Sequence, residues 1–600
     1  MCTTRDDVLA VLAELAQLTT LAEQSPQSFK VRAYENARAA LEGDSRDPVE
    51  LTATELAKIK GIGKSTAAKI REFVDTGVVD KLEQLRAEYP PAIVELSKIP
   101  GMGPKTLALV RSELGIENLD ALKAAIAEQQ LRTLPGLGAA SEAKMAKAIE
   151  RLGLSGKDRR TPIADALPLA ERLVGDLAAV EGVVDVAYCG SLRRFSETVG
   201  DIDITVAAPP DVAEAVMEAV RTHRQADDVI LSGSTKTSFL TATKLQVDVR
   251  VVEPDQFGAA TLYFTGSKSH NIAMRQRAID RGMTLNEYGL FRVSDDRAAD
   301  SGDRAAGSGD RAAPELVASA TEAEIYAALD LDVVIPPMRE GTGEVDAAAA
   351  RALPELVRRA DIRGDLHYHT DRSGDGRSSV ADMVKMAAAE GYEYLAITDH
   401  GEDLTINGSS EAEMREHREV IRAIQADYPD LALLWGCELN IDATGGLDYS
   451  DEFRAEFDYT VASVHSAYDL SAADQTKRLV TAISDPTVDS IGHLTGRYIG
   501  RRPGIEIDVD IVLEALAMFD VALEVNGALQ RLDAASSVVR RAVDRGVKLV
   551  INTDSHHTSE LGRMEYGVLT AQRGWAPRDL VVNTWPRDRF LEWVRTHRDA

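Results

Sequence analysis

The chain has 600 residues, 44% hydrophobic and 28% charged, with a formal net charge of −29. That length exceeds a single core and points to about three or four domains, and no apolar run is long enough to span a bilayer. Three scattered cysteines, Cys2, Cys189 and Cys437, exclude a disulfide framework and a thiolate zinc site. Asp6, Asp7 and Glu14 interrupt the apolar stretch that a signal peptide needs, so a cytoplasmic protein is expected. The charge is uneven. Residues 1–160 hold 23 Lys+Arg against 23 Asp+Glu, whereas residues 361–600 hold 25 against 42. With arginine in excess over lysine, this acidity is expected of a halophilic host, where such surfaces stay hydrated. The plainer alternative is an acidic surface that keeps the chain dissolved.

Residues 1–155 read as short helices joined by glycine turns. Three segments repeat one pattern: Ile59-Lys60-Gly61-Ile62-Gly63-Lys64, Ile99-Pro100-Gly101-Met102-Gly103-Pro104-Lys105, and Leu134-Pro135-Gly136-Leu137-Gly138. Two glycines allow a tight turn that turns backbone N–H groups outward at a helix N-terminus, which suits phosphate. The pattern resembles the helix-hairpin-helix motif, which holds the DNA backbone without reading sequence. Candidate DNA contacts are Gly61, Gly63, Lys64, Gly101, Gly103, Lys105, Gly136 and Gly138.

From 160 to 338 strand and helix signals alternate, with strands expected at 183–189, 202–206, 246–252 and 290–293 and an amphipathic helix near 212–223. Gly190-Ser191-Leu192-Arg193-Arg194 is a small, phosphate-friendly turn, and Gly200-Asp201-Ile202-Asp203 follows it. Strand side chains alternate, so Asp201 and Asp203 share a face. Two such carboxylates repel unless a divalent cation lies between them, and Mg²⁺ favours a few carboxylates plus phosphates. Asp248, within Gln246-Val247-Asp248-Val249-Arg250, supplies a third acid. Together the three can hold two Mg²⁺ or Mn²⁺ ions about 3.5–4 Å apart, one lowering the pKa of an attacking 3′-hydroxyl and one neutralising triphosphate charge. Ser191 and Arg194 are placed for the triphosphate, by hydroxyl and guanidinium.

Tyr263-Phe264-Thr265-Gly266-Ser267, with Asn271 and Arg275, resembles the nucleotide-binding signature of the family X DNA polymerases, the polymerase beta relatives, over residues 1–340. The resemblance implies gap-filling synthesis on gapped or primed DNA from deoxynucleoside triphosphates. Tyr263 and Phe264 would line the sugar pocket, Asn271 would contact the incoming nucleotide or minor groove, and Arg275 would lie near the template. Gly190, Gly200, Arg250 and Gly266 complete the nucleotide set. Lys268 stands where close eukaryotic relatives carry an acid. In beta-like members a lysine at the position of Lys69 forms a Schiff base with an abasic sugar, and Lys30 and Tyr34 match parts of that pocket. A neighbouring family lysine is Ser65 here, and a plain phosphate contact is the alternative role for Lys69.

A tandem seven-residue repeat of the form S-x-D-R-A-A-x fills 294–314. No repeat position carries a large apolar residue, so a disordered, solvated insert is expected rather than a coiled coil. An Ala- and Glu-rich stretch at 339–360 reads as a linker with some helix.

From 361 to 600 strand–loop–helix units repeat, with strands expected at 395–397, 431–434, 459–464, 488–491, 521–525 and 548–551, as in a barrel-like α/β domain. Nine of the eleven histidines lie here, and most follow expected strands. His367, His369, His400, His465, His493 and His556, with Glu438 and Asp554, would converge at the barrel mouth, where imidazole and carboxylate suit Zn, Mn or Fe. This resembles the polymerase-and-histidinol-phosphatase (PHP) domain, implying two or three metals in a distorted seven-stranded barrel and hydrolysis of phosphoesters, usually as a 3′→5′ exonuclease. The ninth ligand falls in Ser373-Gly374-Asp375-Gly376, one residue longer than the family's S-D-G. Asp375 is the choice and Asp371 the alternative. His417, His557 and His597 read as surface residues.

The expected protein is thus a multidomain α plus α/β chain. It has a helix-hairpin-helix domain (1–155), a nucleotidyltransferase palm and thumb on a mixed sheet (160–338) and a C-terminal (β/α)7 barrel (361–600). It fills gaps and trims 3′ ends, with no membrane partner and as a monomer. Competing readings are a DNA-end-binding scaffold with one centre idle, a barrel confined to phosphatase or abasic-site cleavage, and a template-independent nucleotidyltransferase.

Overall fold

The computed structural model describes residues 5–42, 46–97, 99, 101–152, 160–293, 315–404 and 408–598. The expected insert 294–314 and the side chain of His597 lie outside them.

The N-terminal region is helical. In each glycine pair the first residue takes the left-handed backbone that glycine favours (Gly61 φ +104°, Gly101 φ +93°, Gly136 φ +80°). The second precedes a helix: Gly63 caps Lys64–Thr76, Gly103 caps Pro104–Leu114, and Gly138 leads into Ala139–Leu152. A Cβ on Gly61 would lie 3.2 Å from the Asn36 carbonyl, so the first turn is also packed tightly on its neighbouring helix.

The middle region opens on β1 (Thr161–Pro162), the helix Ile163–Ala178 and β2 (Asp185–Tyr188). It continues with β3 (Thr198–Val199), β4 (Asp201–Ala207), β5 (Asp228–Ser232), β6 (Lys236–Leu240) and β7 (Gln246–Val252). Five of these strands form a mixed sheet in the order β2-β4-β7-β6-β5, and β1 pairs with β3. β4 and β7 run parallel, while the other pairs in the larger sheet are antiparallel. Beyond the helices Phe257–Thr265 and Lys268–Ile279, β8 (Met283–Asn286), β9 (Gly289–Arg292) and β10 (Glu315–Ala318) form a small antiparallel sheet.

Residues 339–360 correct the expectation of a linker. Arg339 and Glu344 are fully buried, and Val345 and Ala348 pack into the core formed by Met274, Tyr326 and Val334. Glu344 accepts hydrogen bonds from the Gly341 and Thr342 amides and pairs with buried His270, so the first part of the segment packs with the helices before it, while Val357 lies in the core of the C-terminal region.

The C-terminal strands are β11 (Gly364–Asp365), β12 (Tyr394–Ile397), β13 (Ala432–Asn440), β14 (Tyr459–Ser463), β15 (Ser490–Ile491), β16 (Ala522–Asn526) and β17 (Leu549–Asn552). They run parallel in sequence order, and a parallel bridge between Tyr368 and Ser555 joins the two edges into a nearly closed barrel. Alternation explains its interior. Leu434, Val461, Ala522 and Val550 fill the lower half with Trp585, Phe590 and Trp593, the last two from the C-terminal helix Arg587–Arg598. Two to four residues further along, Glu438 and Glu524 on their strands and His465 and Asp554 just past the ends of β14 and β17 reach the mouth.

Candidate active sites

On the palm sheet, the register places Asp203 directly opposite Asp248 and Asp201 opposite Gln246. Asp201 is exposed at the strand start and Asp248 is buried. Lys236 Nζ reaches Asp248 Oδ2 at 2.8 Å and Gln246 Nε2 donates to Oδ1 at 2.9 Å. Burial opposes ionisation of Asp248, but Lys236, Ser238 and Gln246 outweigh it and hold the carboxyl below its usual range. Asp203 goes the other way. Burial, then the charges of Asp201 and Asp248, push its pKa up to about 7. A carboxylate cluster whose charge the protein leaves partly uncompensated fits a divalent cation.

The glycine turn lies against this cluster. Gly190 has φ +64°, and a Cβ there would fall 2.7 Å from Asp203 Oδ2. Ser191 sits in the single helical turn Gly190–Arg193, and Gly200 separates β3 from β4. Arg194 Nε pairs with Glu340 Oε1 at 2.8 Å, and its Nη1 donates to the Thr265 carbonyl at 2.6 Å. Across the site Tyr263 and Phe264 meet edge to face, 5.0 Å between centroids. Arg250 lies 4.3 Å over the Phe264 ring and Arg275 5.3 Å over Tyr263. Asn271 donates to the Tyr263 carbonyl at 2.7 Å. Gly266, at φ +67°, ends the helix carrying the aromatic pair. Lys268 lies 3.5 Å from Glu35 of the N-terminal region, an exposed pair of little energetic weight.

In the N-terminal region Lys69 is half-buried and donates to Ser65 Oγ at 3.0 Å. Lys30 pairs with Glu23 at 2.6 Å, and Tyr34 is buried.

At the barrel mouth Glu438 is central. Its carboxylate lies 2.9 Å from His400 Nδ1 and from His493 Nε2, 3.2 Å from His465 Nε2, and 3.4 Å from the Nε2 atoms of His367 and His369. His369 Nε2 is also 3.4 Å from Asp554 Oδ1. Asp375 Oδ2 stands 3.5 Å from both His400 and His556, so Asp375 rather than Asp371 joins the cluster. Asp554 holds a left-handed backbone (φ +51°), a strained conformation that sites tend to retain.

These contacts are close without being directed hydrogen bonds. Both Glu438 oxygens and the Nε2 atoms of His367 and His369 are buried and lack a hydrogen-bond partner. Three triplets bring donor atoms within 4.8 Å of one another: His367, His369 and Asp554; His369, His400 and His556; and His400, Glu438 and His465. Burial drives the His465 pKa down to about 4, whereas His400 goes up to about 10 because Glu438 and Asp375 outweigh its burial. Orphaned nitrogens and oxygens converging on shared space suit metal ions.

Several supporting residues escape a sequence reading. Glu524 Oε2 accepts from His367 Nδ1 at 2.6 Å, and Asn526 and Asn552 donate to Glu524. Asp399 accepts from the Thr370 amide and hydroxyl and from Ser373 Oγ. His417, expected on the surface, is 2% exposed and 3.4 Å from Asp399. It supports that network from the helix behind it. His557 is half-buried and lines the cleft rather than the open surface. The signal available for Glu524 was its position as a lone acid inside an apolar strand. The cleft measures about 460 Å³, and Tyr498, Arg531 and Arg563 line it beside the histidines. Arg531 Nε stands 3.6 Å from Asp554.

Comparison with known proteins matches separate stretches of the chain to family models. The family described as DNA polymerase beta thumb matches residues 260–340, the PHP domain 365–528, the helix-hairpin-helix domain 3–79, and the SAM-like helix-hairpin-helix tandem 93–151. The chain is 36% identical over 585 residues to the DNA polymerase/3'-5' exonuclease PolX of Bacillus subtilis (strain 168), covering 96% of this chain and 97% of that one. Probable phosphatases match a smaller part. One from Acetivibrio thermocellus is 28% identical over 39% of this chain and 96% of its own length, and one from Proteus mirabilis is 28% identical over 39% and 94%.

Proposed function

The chain belongs to the family X DNA polymerases that carry a PHP domain, and on that footing we propose that it fills short gaps in DNA and trims or cleans 3′ ends at a second, separate metal centre. The observation that carries this reading is the presence, in one chain, of the facing pair Asp203–Asp248 beside Gly190 and of the donor set around Glu438.

At the palm, Asp201, Asp203 and Asp248 would hold Mg²⁺ or Mn²⁺, which when bound eases ionisation of the primer hydroxyl and offsets triphosphate charge. The chain's own residues do the rest. Asp203, whose carboxyl is pushed up to about 7, keeps a proton below neutrality that an incoming cation displaces. Ser191 and Arg194 bind the triphosphate, with Gly190 and Gly200 allowing close backbone approach. Tyr263 and Phe264, braced by Arg275 and Arg250, form the wall of the sugar pocket. Asn271 and Arg275 face the nucleotide and template. The three glycine pairs, with Lys64 and Lys105, hold DNA phosphates independently of sequence. Lys69 is a half-buried lysine suited to a phosphate contact or to Schiff-base chemistry. Borohydride trapping on an abasic 5′-phosphate, compared with Lys69→Ala, separates the two.

At the barrel, His367, His369, Asp375, His400, Glu438, His465, His493, Asp554 and His556 would hold two or three ions of Mn, Zn or Fe, which when bound activate water and neutralise a phosphoester. Glu524 engages Nδ1 of His367 and leaves its Nε2 facing the cluster, where it would serve as a metal donor. Arg531 and Arg563 present cations along the cleft to the scissile phosphate.

Among the described residues no helix is long and apolar enough to cross a membrane. We place the protein in the cytoplasm, acting as a monomer. The test is extension of a primer in a gapped duplex with Mg²⁺ and nucleotides, which Asp203→Ala should abolish. Full extension by that variant would refute the palm assignment.

A further inference from the structure

Between the triphosphate turn and the catalytic strand lies a short palm segment, Arg194-Phe195-Ser196-Glu197, and residues of the barrel grip it from three sides. Arg573 Nη1 donates to the Arg194 carbonyl at 2.8 Å and pairs with Glu340 Oε1 at 2.6 Å. That oxygen is the one Arg194 Nε holds at 2.8 Å. Tyr566 stacks on Phe195, 6.0 Å between centroids and 18° between planes. Arg497 makes a two-pronged pair with Glu197 at 2.7 and 3.0 Å. Below them Leu532 is fully buried in the palm's own core.

Two features make this more than a domain contact. Phe195 is a buried, non-glycine residue at φ +58°, a backbone that persists only where its surroundings impose it. Its surroundings here include Tyr566 and the Arg573 bond to the preceding carbonyl. Glu340 is shared between two guanidiniums, one from each domain. To reach a triphosphate, Arg194 must loosen its hold on Glu340. With Arg573 in place the half-buried carboxylate keeps a cation; without Arg573 it would retain Arg194 as its sole partner in this trio.

We propose that Arg573 and Tyr566 of the phosphoesterase barrel are positioning residues for nucleotide binding in the polymerase reaction: Tyr566 fixes the strained turn, and Arg573 is the standing counterion of Glu340 that releases Arg194 to the triphosphate. This rests on the assignment of Arg194 to the triphosphate. It requires no ligand in the barrel, so the barrel contributes to synthesis through its fold as well as to trimming through its metal centre.

The test measures the dissociation constant of the correct nucleotide on a gapped duplex ending in a dideoxy primer, and KM and kcat on the extendable primer. Arg573→Met and Tyr566→Ala should each raise the dissociation constant and KM about tenfold with little change in kcat, the pattern of lost nucleotide binding. Arg573→Lys and Tyr566→Phe, which keep the cation and the stack, should bind nearly as the parent does. In the Arg573→Met background, Glu340→Gln should restore affinity, because Arg194 no longer has a carboxylate to retain it. A weakened Arg573→Met that Glu340→Gln fails to rescue would overturn the counterion role, as would parent-like affinity in both single variants. Arg194→Ala is the control for the underlying assignment. If it binds nucleotide as the parent does, the triphosphate assignment fails. If it binds weakly while the barrel variants bind normally, only the coupling fails.

Discussion

Glu524 Oε2 stands 2.6 Å from His367 Nδ1, and both side chains are fully buried. The carboxylate engages Nδ1 of His367 and leaves Nε2 turned toward Glu438 and Asp554. Glu524→Gln should weaken Mn²⁺ binding at the barrel by about 10–100-fold, as loss of an outer carboxylate generally does. Mn²⁺ titration followed by electron paramagnetic resonance checks this without relying on turnover.

Much of this architecture was legible in the sequence. Alternating apolar residues gave β4 and β7 nearly to the residue, because a buried strand obeys a strict period of two. The histidine and carboxylate cluster was legible because most of its members follow expected strands, whose ends converge at a barrel mouth. What stayed hidden depended on partners distant in the chain. Glu524 meets His367 across 157 residues, and Arg573 meets Glu340 across 233. The first barrel strand, Gly364–Asp365, is too short for a periodic signal. Residues 339–360 read as a linker because alanine and glutamate suit any exposed helix, and only the thumb core shows that Val345 and Ala348 are inside.

Gly190→Ala should keep the fold and lose synthesis. The added methyl would fall 2.7 Å from Asp203 Oδ2, on a backbone already at φ +64°. Displacing that carboxylate by a fraction of an ångström to an ångström should lower kcat for incorporation by about 100-fold. Steady-state incorporation into a gapped duplex reads the effect, with unchanged 3′-end shortening as the internal control.

Cation binding at the palm should release a proton. The Asp203 carboxyl is pushed from 3.8 to about 7, so between those values the folded, metal-free protein holds a proton that the unfolded chain has lost. The stability of the metal-free palm should therefore fall as pH rises through that window, and Mg²⁺ should restore it. Calorimetric Mg²⁺ titrations in buffers of unlike ionisation enthalpy should show close to one proton released per site below pH 7 and a declining number above it. Asp203→Asn should abolish that release.

The barrel region, with 25 basic against 42 acidic residues across 361–600, should be the salt-sensitive part of the molecule. Screening of like charges and hydration of a lysine-poor surface both favour the folded state in concentrated salt. The thermal midpoint should rise from dilute to molar KCl. A midpoint independent of salt would remove the halophilic reading.

The division of labour between the two centres is tested most directly on a 5′-labelled primer in a gapped duplex with Mn²⁺, with and without nucleotides, using the parent, Asp203→Ala and Glu438→Gln. Asp203→Ala should lose extension and keep shortening, and Glu438→Gln should lose shortening and keep extension. Shortening that survives Glu438→Gln, or extension that survives Asp203→Ala, would contradict the assignment of synthesis to the palm and trimming to the barrel.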